Sequence, residues 1–154
     1  MLFTIGYQRT ALTHLLALLA GLGNDSLLVD VRSSPASRRK EFAQASLSQH
    51  LGGRYIFAGQ HLGGRTPVTQ AGIRRLRQLS DEHNVIIMCM EHAPGECHRH
   101  HDICAPHFPR ALHIVDNNLI TARHLAEAML PSAPDSIIVS GNTDAILAGD
   151  YSLF

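Results

Sequence analysis

Leu27-Leu28-Val29-Asp30-Val31-Arg32 is an apolar run interrupted by one carboxylate and closed by a guanidinium. Its hydrophobic residues are continuous rather than alternating, the pattern of a strand covered on both faces in a parallel sheet. Val85-Ile86-Ile87-Met88-Cys89 has the same character, and Leu2-Phe3-Thr4-Ile5 is a shorter version stopped by Gly6. Between Gly6 and Leu27, residues Leu12, Leu15, Leu16, Leu18, Leu19 and Leu22 recur at helical spacing, with Thr10 as the expected N-cap and Gly21 and Gly23 at the end. The three segments from Leu2 to Val31 therefore read as a βαβ unit.

The alternation continues outward. A polar loop from Arg32 to Lys40 leads to a short helix over 45–51, closed by Gly52 and Gly53. A brief strand over 55–57 and a turn at Leu62-Gly63-Gly64-Arg65 with Pro67 follow. Ile73, Leu76 and Leu79 predict an amphipathic helix over 70–83, ahead of the strand over 85–89. Beyond it the pattern predicts a helix over 96–107, a strand over 112–115, a helix over 121–129 and a last strand over 137–139. Right-handed crossovers make the expected fold α/β: one domain over residues 1–154, a three-layer sandwich with a mostly parallel sheet and helices on both faces.

Composition agrees with one domain and limits the function. The chain has 154 residues, 45% of them hydrophobic, enough for one sizeable core. Thirteen basic residues balance thirteen acidic ones, which disfavours a general polyanion binder. MLFTIGYQRT lacks the basic flank and apolar core of a signal peptide, and the apolar run near Leu15 to Leu22 is too short to cross a bilayer. A cytoplasmic protein with no membrane partner is expected. The three cysteines, Cys89, Cys97 and Cys104, are an odd number and fit a reducing compartment. Of the 11 histidines, His92, His98, His100, His101, His107 and His113 crowd into one stretch, and charging several together below pH 7 would make the protein cationic.

In an open parallel sheet, ligands bind beyond the carboxyl ends of the strands. Those ends carry Gly6-Tyr7, Asp30-Val31-Arg32, Cys89-Met90-Glu91 and Ser140-Gly141-Asn142-Thr143, so two carboxylates, an arginine and a thiol are expected at one edge. Asp30 is either a scaffold carboxylate paired with Arg32 or, with Glu91, an acid–base pair or hard-cation site. Arg32, Arg38, Arg39 and Lys40 surround Ser33, Ser34 and Ser37, a mixture suited to gripping phosphate or carboxylate. Cys89 and Cys97 flank the start of a helix, whose amides favour thiolate; either can be a nucleophile or a buried small hydrophobe. The loop lacks the Cys-x5-Arg spacing of phosphatase and rhodanese loops.

A metal site is the competing use of the cluster. At 100° per residue, Cys97, His100, His101 and Cys104 share one stripe of a regular helix. Cys97 and Cys104 would lie ~10.5 Å apart along its axis, too far for one undistorted tetrahedral zinc site, and no Cys-x2-Cys pair is present. Packing of that stripe on the sheet is the alternative.

Thr4-Ile5-Gly6, Asp30-Val31-Arg32 with Pro35 and Ser37-Arg38, Leu62-Gly63-Gly64, Cys89-Met90-Glu91, Cys97-His98-Arg99 and His113-Ile114 together resemble domain-of-unknown-function family 488. The match runs in order from about Thr4 to Ile114. The resemblance implies a small bacterial or archaeal cytoplasmic α/β protein without an established activity, some relatives bearing a loose DNA-repair label. Tyr7-Gln8 stand where the family commonly has His-Ser. By position it implies one site containing Asp30, Arg32, Ser37, Arg38, Cys89, Glu91, Cys97, His98 and Arg99.

Three functions follow as expectations. The first is a small enzyme on a phosphate- or carboxylate-bearing small molecule, a nucleotide among the candidates. Cys89 or Cys97 would be the nucleophile, Glu91 or Asp30 the proton carrier, and Arg32, Ser37, Arg38, His98, Arg99 and Gly6 the ligand contacts. The second is a non-catalytic accessory in DNA processing, using Arg38, Arg39, Lys40, Arg74, Arg75 and Arg77. The third is a zinc protein using Cys97, His101, His100 and Cys104.

Overall fold

The computed structural model describes residues 1–131 and 139–150. Its strands are β1 (Leu2–Gly6), β2 (Leu27–Asp30), β3 (Tyr55–Phe57), β4 (Val85–Cys89), β5 (Leu112–Val115), β6 (Asn118–Thr121) and β7 (Gly141–Asn142). They form one sheet in the order β3-β2-β4-β1-β5-β6-β7. The β3, β2, β4, β1 and β5 strands run parallel, and β6 is antiparallel to both its neighbours. The helices are α1 (Leu12–Gly21), α2 (Gln44–Leu51), α3 (Gly59–Leu62), α4 (Gln70–Glu82), α5 (Ala105–His107), α6 (Ala122–Ala128) and α7 (Asp144–Leu147).

Alternate residues of β4 separate the two cores. Ile86 and Met88 join Leu15, Leu18 and Leu19 of α1, Leu47 and Leu51 of α2 and Ile146 of α7. Val85, Ile87 and Cys89 face Ile73, Leu76 and Leu79 of α4, together with Ile103, Cys104 and Ala122. Both sheet faces are thus covered, which is why the central strands read as unbroken apolar runs. The result is the α/β sandwich expected from the sequence.

Four local expectations are corrected. Thr10 does not cap α1: its hydroxyl donates to the Gly6 carbonyl at 3.0 Å, and Ala11 occupies the cap position without a side-chain bond. The stretch over 96–107 is not one α-helix but a 3-10 turn (Pro94–Glu96), a π-helical segment (Arg99–Cys104) and α5. Strand β6 precedes α6, reached through a tight turn in which Asp116 is left-handed at φ 54. Of the strand expected over 137–139, residues 137 and 138 lie outside the described residues; Val139 is in no strand, and the edge strand is β7.

Candidate thiol centre

Gly6, Asp30 and Cys89 end β1, β2 and β4, and the register sets Gly6 beside Cys89 and Asp30 beside Met88. The chain leaves β4 through Met90-Glu91-His92 and returns at Cys97. Glycine at position 6 is required by close approach, since a Cβ there would overlap the carbonyl oxygen of Glu91. Arg99, fully buried, holds the same loop: its Nη1 donates to the Glu91 carbonyl at 2.6 Å and its Nη2 to the His92 carbonyl at 3.0 Å. Gly6 and Arg99 therefore shape the site from behind.

The loop brings three acids and one imidazole together. Cys89 Sγ and Cys97 Sγ each lie 3.0 Å from the same oxygen, Oε2 of Glu91. Each sulfur is 3.8 Å from Nδ1 of His98. The other ring nitrogen, Nε2, is 3.0 Å from the carbonyls of Val31 and Leu62. Two carbonyl acceptors require a proton on Nε2, so Nδ1 is the nitrogen turned to the sulfurs. A Cβ on Gly64 would lie 2.7 Å from the His98 ring, so the Gly63-Gly64 turn packs directly on it.

Adjacent residues converge here because the backbone changes conformation between them. Cys97 is extended (φ −128°, ψ 139°) at the end of the 3-10 turn, whereas His98 is already helical (φ −55°, ψ −26°). On an uninterrupted helix neighbouring side chains diverge by ~100°.

Electrostatics divide the two thiols. The hydrogen bond with Cys89 lowers Cys97 against its burial, with His98 and Arg99 assisting. The same bond, with burial and Glu91, raises Cys89. Burial works to raise Glu91, but both thiols and the Arg99 charge hold its carboxyl below the usual range. Burial likewise works to lower His98, and Cys97 with the two carbonyls outweighs it. Each 3.0 Å contact to Oε2 needs a proton within it. Two protons are therefore shared by three acids, and one negative charge spreads over the carboxylate and Cys97, opposite Arg99.

The remaining candidates lie elsewhere. Asp30 and Arg32 are occupied with each other: Nε to Oδ1 at 2.8 Å and Nη2 to Oδ2 at 2.5 Å, with the Tyr55 hydroxyl donating to Oδ2 at 2.7 Å. Burial works to lower Arg32, but the Asp30 partner outweighs it; burial and Asp30 both raise Tyr55. Only Nη1 of Arg32 is left without an acceptor, beside the Tyr7 ring. Ser37 bonds the Tyr7 hydroxyl at 3.1 Å and accepts from the Arg39 amide, so it orders its own loop, while Arg38 is exposed. Tyr7 stacks on Phe42 at 4.6 Å.

The stripe Cys97, His100, His101 and Cys104 is corrected. The i→i+5 bonding of the π segment widens the turn, so spacings of three and four no longer share a face. Cys104 is sealed in the core beneath α4, and its burial raises it. His101 bonds the Gly95 carbonyl at 2.6 Å. His100 Nδ1 meets His113 Nε2 at 2.9 Å, His113 Nδ1 meets the Thr4 hydroxyl at 2.8 Å, and Thr4 accepts from Arg99 Nε at 3.2 Å. Arg99 donates to the Thr4 hydroxyl, which keeps a lone pair and its own proton for His113, so Arg99, Thr4, His113 and His100 form one continuous buried chain of hydrogen bonds.

The sequence reading missed how the two cysteines meet at one carboxylate oxygen and which histidine nitrogen faces them. It also passed over Arg65, exposed in an open groove of about 490 Å³ lined by Gly64, Thr66, Pro67 and Asp102. Its signal was the Gly-Gly-Arg-Thr-Pro turn, read only as a loop. The expected basic surface is divided: Arg38, Arg39 and Lys40 adjoin Phe42 and α2, whereas Arg74, Arg75 and Arg77 belong to α4 across the sheet.

Fold and site define an α/β protein with a dithiol, carboxylate and imidazole centre at the carboxyl ends of its parallel strands. Comparisons with known protein families, with curated proteins and with solved structures found no match to this chain. Among the described residues, no helix is long and apolar enough to cross a membrane.

Proposed function

We propose that this chain is a small thiol enzyme acting on an anionic small molecule, with Cys97 or Cys89 as nucleophile and Glu91 as proton carrier. The observation that carries the reading is the sharing of one carboxylate oxygen by both thiols at 3.0 Å. As sulfur attacks an electrophilic centre, its proton passes to Oε2, from which the leaving group takes it. Arg65 in the adjoining groove is the donor for the anion. Resemblance to family 488 rests on the six quoted motifs and implies a common site for Cys89, Glu91 and Cys97.

Alkylation of the reduced, folded chain with iodoacetamide at neutral pH, read residue by residue by mass spectrometry, tests the reading. Cys89 or Cys97 should react while Cys104 stays protected, and Glu91→Gln should slow the reaction. Three inert thiols in the wild-type protein overturn it.

A further inference from the structure

We propose that Cys89, Cys97 and His98 form a binding site for a thiophilic divalent cation, Zn2+ foremost, with Glu91 at its open side. The inference goes beyond the enzyme reading at the same two thiols, and what carries it is the placement of His98. Among the described residues, these three form the grouping whose donor atoms lie within 4.8 Å of one another. A tetrahedral zinc ion with ordinary bond lengths sets sulfur and nitrogen ligands about 3.5 Å apart, and both Sγ–Nδ1 separations here are 3.8 Å. The vertices are nearly in place before any ion enters.

The outer shell is also built. A zinc-bound histidine characteristically donates its second ring N–H to a backbone carbonyl or carboxylate, which fixes the ring and its tautomer. His98 already does this through Nε2 to Val31 and Leu62, leaving Nδ1 toward the sulfurs. Two thiols and an imidazole select a soft or borderline ion over Mg2+ or Ca2+. Glu91 Oε2, in contact with both sulfurs, is the candidate for the fourth position, a water being the other.

Charge balance permits the exchange. Before binding, two protons are shared among Cys89, Cys97 and Oε2 of Glu91, which leaves one negative charge opposite buried Arg99. Zn2+ displaces those two protons to solvent as two Zn–S bonds form: Zn2+ plus two thiols gives the dithiolate complex plus two H+. The sum of charges in the buried centre is unchanged, with Glu91 still opposite Arg99.

The test uses the full reduced chain with Zn2+ in competition with a chromophoric chelator, and Co2+ as a spectroscopic probe. One ion per chain is expected, with cobalt–thiolate charge-transfer absorption. Cys89→Ser and Cys97→Ser should each weaken binding more than ~100-fold, beyond the ~10–100-fold that outer-shell changes produce. His101→Gln, from the stripe that the fold takes apart, should leave affinity unchanged. In the wild-type chain, which needs no variant to fold, Zn2+ should protect Cys89 and Cys97 from alkylation. No binding at one equivalent, or equal binding by the cysteine variants, overturns the inference. Alkylation of the metal-free chain remains a separate readout. Reactive thiols without metal binding defeat only the metal site, and metal binding with inert metal-free thiols defeats only the enzyme reading.

Discussion

Lowering the pH from 7 to 5 should destabilise this protein by an amount set largely by two buried histidines. His113 is fully buried, and its burial, with His100 and Arg99 nearby, brings it down to about 3. His100 is 1% exposed and is lowered to about 4 by burial, His101 and Arg99. An unfolded histidine titrates near 6.5, so between that value and the native one the unfolded chain binds the extra proton. Stability is therefore intact above pH 6.5 and falls as pH drops toward the native values. At pH 5 the linkage amounts to about 2 kcal/mol for each residue, and about 4 kcal/mol together as an upper bound, because they share one hydrogen bond. His98 runs the opposite way: its native value is raised, so its contribution is present below 6.5 and is lost as pH rises through that native value. Urea denaturation at pH 7, 6 and 5 measures the sum. His113→Gln isolates the largest part and should shrink the loss between pH 7 and 5 by about 2 kcal/mol. A wild-type stability flat over this range, or a pH dependence identical in the variant, would refute the neutral Thr4–His113–His100 relay.

Asp30→Asn should cost about 3–5 kcal/mol by leaving Arg32 buried without its counter-charge, while the alkylation rate per folded molecule stays unchanged. Denaturation and labelling on the same sample separate scaffold from proton carrier. Gly6→Ala should cost about 1–3 kcal/mol by forcing the Glu91 carbonyl away from β1, and it should also slow thiol labelling. Arg99→Lys keeps the charge but loses the fork to the Glu91 and His92 carbonyls. Each carbonyl left bare costs about 1–3 kcal/mol, measurable as a shift in the urea midpoint.

The order of layers was legible because both faces of β2 and β4 are covered, and a continuous apolar run has few other uses. The antiparallel edge was not. Asn118-Leu119-Ile120-Thr121 is short, with only two adjacent apolar residues and no alternation, so all but Thr121 fall unassigned between the strand expected over 112–115 and the helix expected over 121–129. The signal was Asp116-Asn117, residue types that tolerate the left-handed turn a hairpin needs. The helix over 96–107 failed for a different reason. Periodicity assumes a constant rotation per residue, and the change from 3-10 to π within this stretch removes that assumption.

That failure decided which histidine was connected with which cysteine. Regular helical spacing pairs Cys97 with His101 and His100 with Cys104, and it separates Cys97 from His98. The actual backbone reverses both relations: Cys97 and His98 meet at one point, while Cys104 is sealed in the core. Yet composition had already placed the right types in the right stretch, since Cys89, Glu91, Cys97 and His98 all belong to the loop after β4. The missing information was torsional, and Arg99 holds the resulting arrangement in place. A buried guanidinium must find acceptors; it takes the carbonyls of Glu91 and His92 and the Thr4 hydroxyl, and in reaching all three it draws the π segment against the strand ends. The same residue therefore fixes the loop and supplies the positive charge opposite the thiol centre. Its replacement by lysine should disturb fold and site together, in contrast to Asp30→Asn, which should disturb the fold alone.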